Sequence, residues 1–370
     1  MKPILTHLGI VSALGCGVEE TEKRLFAGDV SGMQKLSGLL GGEETVFGRA
    51  PAGESTGGTD FGVGKLVDMA MAEIAFALEA LKREFGAERI GAVIGTSNST
   101  MEEFTDNPDR IDMAYPAERL REKWGVMGPV WTVSTACSSS GKVFASARRL
   151  LEEGLCDAVL VGGADAYTRT VVEGFHALEA LSPTLTRPLT AERDGINLGE
   201  GAAIFIMRAQ GEGAVRLLGV GESSDAHHLT APDPEGLGAE ASMRAALEDA
   251  GMSAEAIDYV NLHGTGTTYN DSMECKAVRR VFGDRVACSS TKPMTGHCLG
   301  AAGAIEAAIC YLALKRGRGM PPQVGGEVDK ALAPFPIPRV GDETPIRTAL
   351  SNSFAFGGSN ATIILSTVRE

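Results

Sequence analysis

Aromatic residues are scarce in this chain: Phe, Trp and Tyr make up 5 % of it, against 47 glycines. Few rings and many glycines point to tight turns and close backbone packing. The seven cysteines (16, 137, 156, 275, 288, 298 and 310) are odd in number and include no Cys-x-x-Cys pair. That pattern argues against a disulfide framework and against a metal site, and for a reducing, cytoplasmic setting. Cationic side chains are outnumbered, with 34 Lys and Arg against 48 Asp and Glu and a net charge of −14. Such a balance argues against nucleic acid or an anionic membrane surface as a partner. No run approaches the ~18 apolar residues of a spanning helix, so membrane insertion is not expected. Also absent are a Gly-x4-Gly-Lys-Ser/Thr loop and a Rossmann glycine pattern after a strand. Nucleotide binding therefore lacks a basis here.

What is present is an ordinary globular mixture, 44 % apolar and 22 % charged, over 370 residues. That length suits one large domain or two of common size. The periodicity predicts strands at 3–12, 90–95 and 201–207, a surface helix at 18–27 and a packed helix at 65–85, with loop over 28–62 and a helix–loop mixture over 102–128. Gln210-Gly-Glu-Gly213 offers a boundary that divides the chain into 1–209 and 210–370. Beyond it the element order partly repeats: strand 214–220, helix 239–251, strand 259–262, helix 300–316 and closing strands 350–353 and 361–365. Alternating helices and apolar strands predict α/β layers with largely parallel central strands. Ligands in such sheets bind beyond the strand C-termini.

The stretch Pro129-Val-Trp-Thr-Val-Ser-Thr-Ala-Cys137-Ser-Ser-Ser-Gly141 reads as a buried strand that turns sharply into a helix. A second strand follows at 157–163. A cysteine at such a turn feels the unpaired N–H groups of the helix start, which favour its thiolate. The small residues after it leave room for a bulky acyl group. On these residues alone, a nucleophile and a buried structural cysteine both stand.

Among six histidines, two are flanked by glycine: Leu262-His263-Gly-Thr-Gly-Thr and Thr295-Gly-His297-Cys-Leu-Gly300. Glycine there lets the backbone bend and a ligand come close. Glu306 falls among alanines on the following helix and needs a partner, for which Lys292 is the obvious candidate; a surface ion pair is the plainer alternative. Asn352-Ser-Phe354-Ala-Phe356-Gly-Gly-Ser-Asn360 is either a hairpin or a loop whose N–H groups face a ligand while a ring covers a pocket entrance.

Taken together, the blocks Thr135-Ala-Cys137-Ser-Ser, Arg193-Asp-Gly195 with Gly199-Glu-Gly201, Ser223-Ser-Asp225-Ala-His, His263-Gly-Thr-Gly-Thr, Lys292 with Gly296-His297-Cys-Leu-Gly-Ala-Ala-Gly303, and Asn352 to Asn360 resemble the β-ketoacyl-(acyl-carrier-protein) synthases of the thiolase-like superfamily. The resemblance covers nearly the whole chain, in the right order, and its Cys–His–His set is that of the elongating type. It implies a thiolase-like α/β fold, duplicated in a five-layer αβαβα architecture. It implies a decarboxylative Claisen condensation that adds two carbons from malonyl-acyl carrier protein to an acyl chain held on Cys137. His263 and His297 would hold the malonyl thioester and stabilise its enolate. The N–H groups of Cys137 and Phe356 would form the oxyanion hole, with Phe356 and Phe354 at the gate. Lys292 and Glu306 would orient and tune His297, and Asp271 would be a structural partner near His263. No cofactor is bound permanently, since the phosphopantetheine arrives on acyl carrier protein.

The same resemblance implies docking cations at Arg193 and Lys65, and assembly as a homodimer or with a ketosynthase-like partner. Ala355 stands where the family has glycine, and the chain is short over residues 40–62. Asp194-Gly-Ile-Asn and the run from Phe175 to Thr184 resemble the synthases of aryl polyene pathways. Two alternatives are weighed. A non-catalytic, chain-length-factor-like subunit would lack the cysteine. A degradative thiolase would need a second cysteine in a Cys-x-Gly turn, and Cys298 occupies an ordinary small-residue position instead.

Overall fold

The computed structural model describes residues 1–51, 62–101 and 111–368. The chain enters through β1 (Ile4–Ser12), turns at β2 (Gly15–Cys16) and continues into α1 (Val18–Phe26). A hairpin of β3 (Met33–Ser37) and β4 (Glu44–Gly48) follows. It replaces part of the loop expected over 28–62. β3 is polar and largely exposed, so it carries too little apolar alternation to be read as a strand. The rest of that stretch, 52–61, and residues 102–110 of the expected helix–loop mixture lie outside the described residues.

α2 (Gly62–Phe85) buries Leu66, Ala70, Ile74, Leu78 and Leu81, one face at helical spacing. Each large apolar side chain so buried contributes about 1.5–3 kcal/mol. Then come β5 (Ile90–Gly95), α3 (Tyr115–Glu122), β6 (Val130–Val133), α4 (Ser139–Glu152), β7 (Ala158–Asp165), α5 (Arg169–Ala177), β8 (Leu198–Gly199) and β9 (Gly201–Arg208). The remainder runs β10 (Val215–Ser224), α6 (Leu237–Ala250), β11 (Tyr259–Asn261), α7 (Thr268–Phe282), β12 (Ala287–Ser289), α8 (Lys292–Thr295), α9 (Ala302–Arg316), β13 (Thr348–Phe354) and β14 (Ser359–Thr367).

The large sheet has the order β12-β11-β13-β14-β10-β1-β9-β7-β5-β6. It divides at β10 and β1, which share only the pairs Ile4↔Arg216 and Leu5↔Val215. Numbered within its own half, each set of five strands reads 3-2-4-5-1 outward in, and the directions match as well. The expectation of parallel central strands is corrected. Parallel pairing is confined to the flanks, β6-β5-β7 and β12-β11-β13, while the middle is antiparallel. The reason is that the first and last strands of each half lie side by side, and the halves meet through their first strands. β6 is also a half-buried edge rather than a buried strand.

α2 covers the outer face of the first half and α6 that of the second, with α4 and α9 between the two halves. This is the five-layer αβαβα architecture. α9 is buried on all sides through Leu314, as a central helix must be. The two central helices approach closely at glycine: a Cβ on Gly303 would lie 2.7 Å from the Gly141 nitrogen. Ala304 N–H donates to Ser140 Oγ at 2.8 Å across the same contact.

Candidate active site

Cys137 sits in the turn between β6 and α4. Ala136 ahead of it takes a positive φ of 52°, which strains a residue with a side chain. The turn is held from within: Thr135 N–H donates to Ser139 Oγ at 2.9 Å, and Ser138 Oγ donates to the Thr135 carbonyl at 2.8 Å. Small neighbours let it pack, since a Cβ on Gly95 would lie 2.4 Å from the Ser140 nitrogen.

His263 follows β11. Glu274 on α7 grips the backbone here, accepting the N–H of His263 and that of Gly264 at 2.8 Å each. His297 follows α8 and is pinned by the first half of the chain. Its N–H donates to the Asn197 carbonyl at 2.7 Å, and its carbonyl accepts from Gly199 N–H at 3.0 Å. The same loop reaches the other histidine turn through Gly195 N–H, which donates to Gly266 at 3.1 Å. The Arg193-to-Gly201 block thus acts as a clasp between the two halves.

Cys137, His263, His297, Phe354 and Phe356 line one cavity of about 340 Å³. The two imidazoles meet edge to face with centroids 5.2 Å apart, and the Phe354 ring lies 6.1 Å from that of His263. The N–H groups of Phe356 and of Cys137 itself point at the sulfur. Phe356 stacks on Phe175 at 5.7 Å and 20°, and both rings line the cavity. Phe175 as the ring's counterpart is not readable from the sequence.

The electrostatics follow from burial. Burial pushes the Cys137 thiol up to about 12, against the pull of the Lys292 charge. The expected thiolate preference at a helix start is therefore outweighed by lost solvation; α4 begins two residues later, at Ser139. Burial, then Lys292 and His297, hold His263 well below the usual imidazole range, and burial and Lys292 do the same for His297. Both rings are neutral at pH 7 and can accept a proton from a thiol or donate one N–H to an oxygen. His297 Nδ1 has no hydrogen-bond partner among the described residues.

Lys292 and Glu306 form a fully buried ion pair. Burial pushes Glu306 up to about 7, with Lys292 drawing it down. Lys292 also donates to the His263 carbonyl and lies 3.5 Å from His263 Nδ1. Its hydrogen bond therefore braces His263, because α8 turns its ammonium toward the end of β11, while its charge acts on His297 as well. Asp271 accepts from Leu189 N–H at 2.9 Å and from Gly266 N–H at 3.2 Å, so it fixes the turn after His263 and not the histidine itself. The carboxylate that does hold His263 is Glu274. Its signal was a second acid three residues after Asp271 on the buried face of α7. Asp165 was likewise missed: wholly buried, it accepts from Thr96 Oγ1 at 2.6 Å and from Ala301 N–H at 3.2 Å, tying the turn after β5 to the start of α9.

Neither of the two expected docking cations lines the cavity of Cys137. Arg193 is half-buried and turned inward, donating to the Thr190 carbonyl at 2.8 Å and to Ser272 Oγ at 3.2 Å. Lys65 lines a separate cavity with Arg24 and Arg49. Cys298 is buried with its thiol toward the Thr295 carbonyl at 3.6 Å, a packing role. Among the described residues no cluster of His, Cys, Asp and Glu could hold a metal ion, and no helix is long and apolar enough to cross a membrane.

Comparison with known proteins places the chain in a family. The family model described as beta-ketoacyl synthase, N-terminal domain, matches residues 67–211, and that of the C-terminal domain matches 214–327. The chain is 41 % identical to nodulation protein E of Rhizobium meliloti over 65 % of its own length and 62 % of that protein's, so it spans about three fifths of that relative. It is 33 % identical to 3-oxoacyl-(acyl-carrier-protein) synthase 2 of Coxiella burnetii, over 99 % of both chains. A chain from the solved complex of a ketosynthase with its chain length factor from Xenorhabdus doucetiae superposes with a TM-score of 0.92 at 36 % identity, covering 99 % of this chain and 98 % of that one. With a duplicated thiolase-like fold and family models spanning most of its length, this chain belongs to the β-ketoacyl synthase family of condensing enzymes.

Proposed function

We propose that the chain elongates a fatty-acid, polyketide or polyene chain by two carbons through decarboxylative Claisen condensation. The observation that carries this is the convergence of Cys137, His263 and His297 on one cavity. In this reading residues 1–209 supply the nucleophile and 210–370 the two histidines. Cys137 gives its proton to a neutral imidazole, and its sulfur attacks the acyl thioester presented by acyl carrier protein. The phosphopantetheine thiol leaves with that proton, and the acyl group stays on Cys137 as a thioester. The N–H groups of Cys137 and Phe356 face the oxygen that becomes negative in this step. Malonyl-acyl carrier protein then binds with its thioester oxygen held by N–H groups of His263 and His297. Carbon dioxide leaves, the enolate attacks the Cys137 thioester, and the sulfur departs while the lengthened β-ketoacyl chain remains on the carrier.

Lys292, Glu306, Asp271 and Glu274 hold the histidine turns. No resident cofactor enters the reaction. The partners in this reading are acyl carrier protein and either a second copy or a ketosynthase-like subunit; the Xenorhabdus doucetiae ketosynthase, solved with its chain length factor, supports the latter. The runs around Phe175 and Asp194 favour a polyene product, made in the cytoplasm. A chain-length-factor role would leave Cys137, both histidines and Lys292 without a task. The test is intact-mass analysis after incubation with acyl carrier proteins of several chain lengths and degrees of unsaturation. Cys137 takes up the acyl group and Cys137→Ala does not; an adduct that survives that substitution moves the nucleophile elsewhere.

A further inference from the structure

The helix beside the cavity mouth ends in an unusual way. α5 closes with a Schellman pattern: Ala180 N–H donates to the Phe175 carbonyl at 3.1 Å and Glu179 N–H to that of His176 at 2.8 Å. That pattern puts residue 179 in the left-handed region, at φ 54°. Glycine is the favoured residue there, because a Cβ is strained in that conformation. This chain has glutamate. The strain is not repaid within the protein, since Glu179 is exposed, lines the cavity that leads to Cys137, and makes no ion pair among the described residues. The other two acids that line the cavity have partners: Asp194 has Arg187 at 3.5 Å, and Asp225 accepts from Asn360 at 3.0 Å. On either side of Glu179's charge the rim is apolar and open: Leu178 is 51 % and Tyr269 74 % exposed.

An acyl group bound for Cys137 enters through this mouth on a tethered arm, so the protein that holds the arm rests on the rim. Arg193, the expected contact for an acidic carrier, is turned inward. We propose that Glu179 is a specificity-determining residue of the mouth, selecting a carrier protein that presents a basic side chain beside its phosphopantetheine arm. The proposal rests on the condensing reading above. An unpaired carboxylate at a rim attracts a cation and repels an acid, and the effect weakens with salt. Placed at a strained position, it stands where the backbone alone would favour glycine.

The test uses the full chain and two octanoylated acyl carrier proteins, one with basic and one with acidic side chains flanking the phosphopantetheine serine. The readout is the rate of Cys137 acylation by each, relative to acylation by octanoyl-N-acetylcysteamine, which has no carrier. The wild type favours the basic carrier, by about two- to fivefold at low salt, and the preference fades in 0.5 M salt. Glu179→Lys reverses the preference. Glu179→Gly abolishes it while raising Tm, because the left-handed position is relieved. A preference unchanged in both variants, in a wild type that accepts octanoyl groups, overturns the role of Glu179, as does a wild type that favours the acidic carrier. A wild type acylated by none of the three donors overturns the condensing reading, and this proposal with it.

Discussion

One oxygen of Glu274 accepts the backbone N–H of His263 at 2.8 Å, and its other oxygen accepts that of Gly264 at the same distance. Asn352 adds a third donor at 3.2 Å, from the segment that leads to Phe354 and Phe356. One buried carboxylate thereby joins α7, the turn carrying His263 and the start of the gating loop. Its position fixes where His263 stands relative to the Phe354 ring.

Glu274→Gln retains the shape but presents an amide NH2 to an N–H donor. A loss of roughly 1–3 kcal/mol is expected, with decarboxylation reduced more than Cys137 acylation. Burial pushes Glu274 up to about 7 from 4.5, outweighing its donors. The sign follows. The protonated form is favoured in the fold, so this contribution is fully present below about 4.5 and is lost as pH rises through about 7. The stability advantage of wild type over Glu274→Gln should shrink by about 3 kcal/mol across that window, as urea unfolding would measure. A constant difference would mean that the carboxyl does not titrate there.

Phe175 and Phe356 stack on each other in the lining of the cavity that holds Cys137. Phe175→Ala removes about 1 kcal/mol of ring contact. It should speed alkylation of Cys137 by iodoacetamide roughly fivefold. In both proteins the rate should climb with pH without levelling below pH 10, because the thiol is pushed up to about 12. Equal rates in the two proteins would show that the ring does not cover the sulfur.

Arg193→Glu acts on the fold, not only on docking. The guanidinium closes the loop at Thr190 and reaches Ser272 on α7, near the buried Asp271. Reversing its charge leaves two acceptors unmet and sets a carboxylate beside another. A stability loss of about 2 kcal/mol is expected by calorimetry. A Tm equal to wild type would return Arg193 to the surface role that its motif suggests.

The parts of the fold that were legible are those in which burial itself writes the pattern. β5, β7 and β9 are apolar on both faces, so the run is the strand. α7 was not legible, because its first turn is polar and its buried acids answer to the backbone of the β11 turn rather than to an apolar neighbour. Strand direction was not legible either, since it depends on which strands join the halves. In the site, Cys137, His263 and His297 stood out by their glycine-rich and small-residue settings. Which of the two histidines Lys292 braces did not. The lysine's chain neighbour is His297, yet its ammonium meets a histidine 29 residues away.

That displacement makes Lys292 and Glu306 separable by a double substitution. The pair is buried, and removing one member leaves the other charge unsolvated, at a cost of about 3–5 kcal/mol. Lys292→Met alone should destabilise by that order and strip the brace from the His263 carbonyl. Adding Glu306→Gln removes the stranded carboxylate, so much of the lost stability should return. Activity should not return, because a methionine cannot donate to the carbonyl or hold the His263 ring neutral through its charge. Calorimetry and malonyl decarboxylation, measured on both single variants and the double, decide the matter. Recovery of both stability and decarboxylation in the double variant would show that Lys292 serves only to neutralise Glu306. Recovery of stability alone would show that its contact with His263 carries the chemical role.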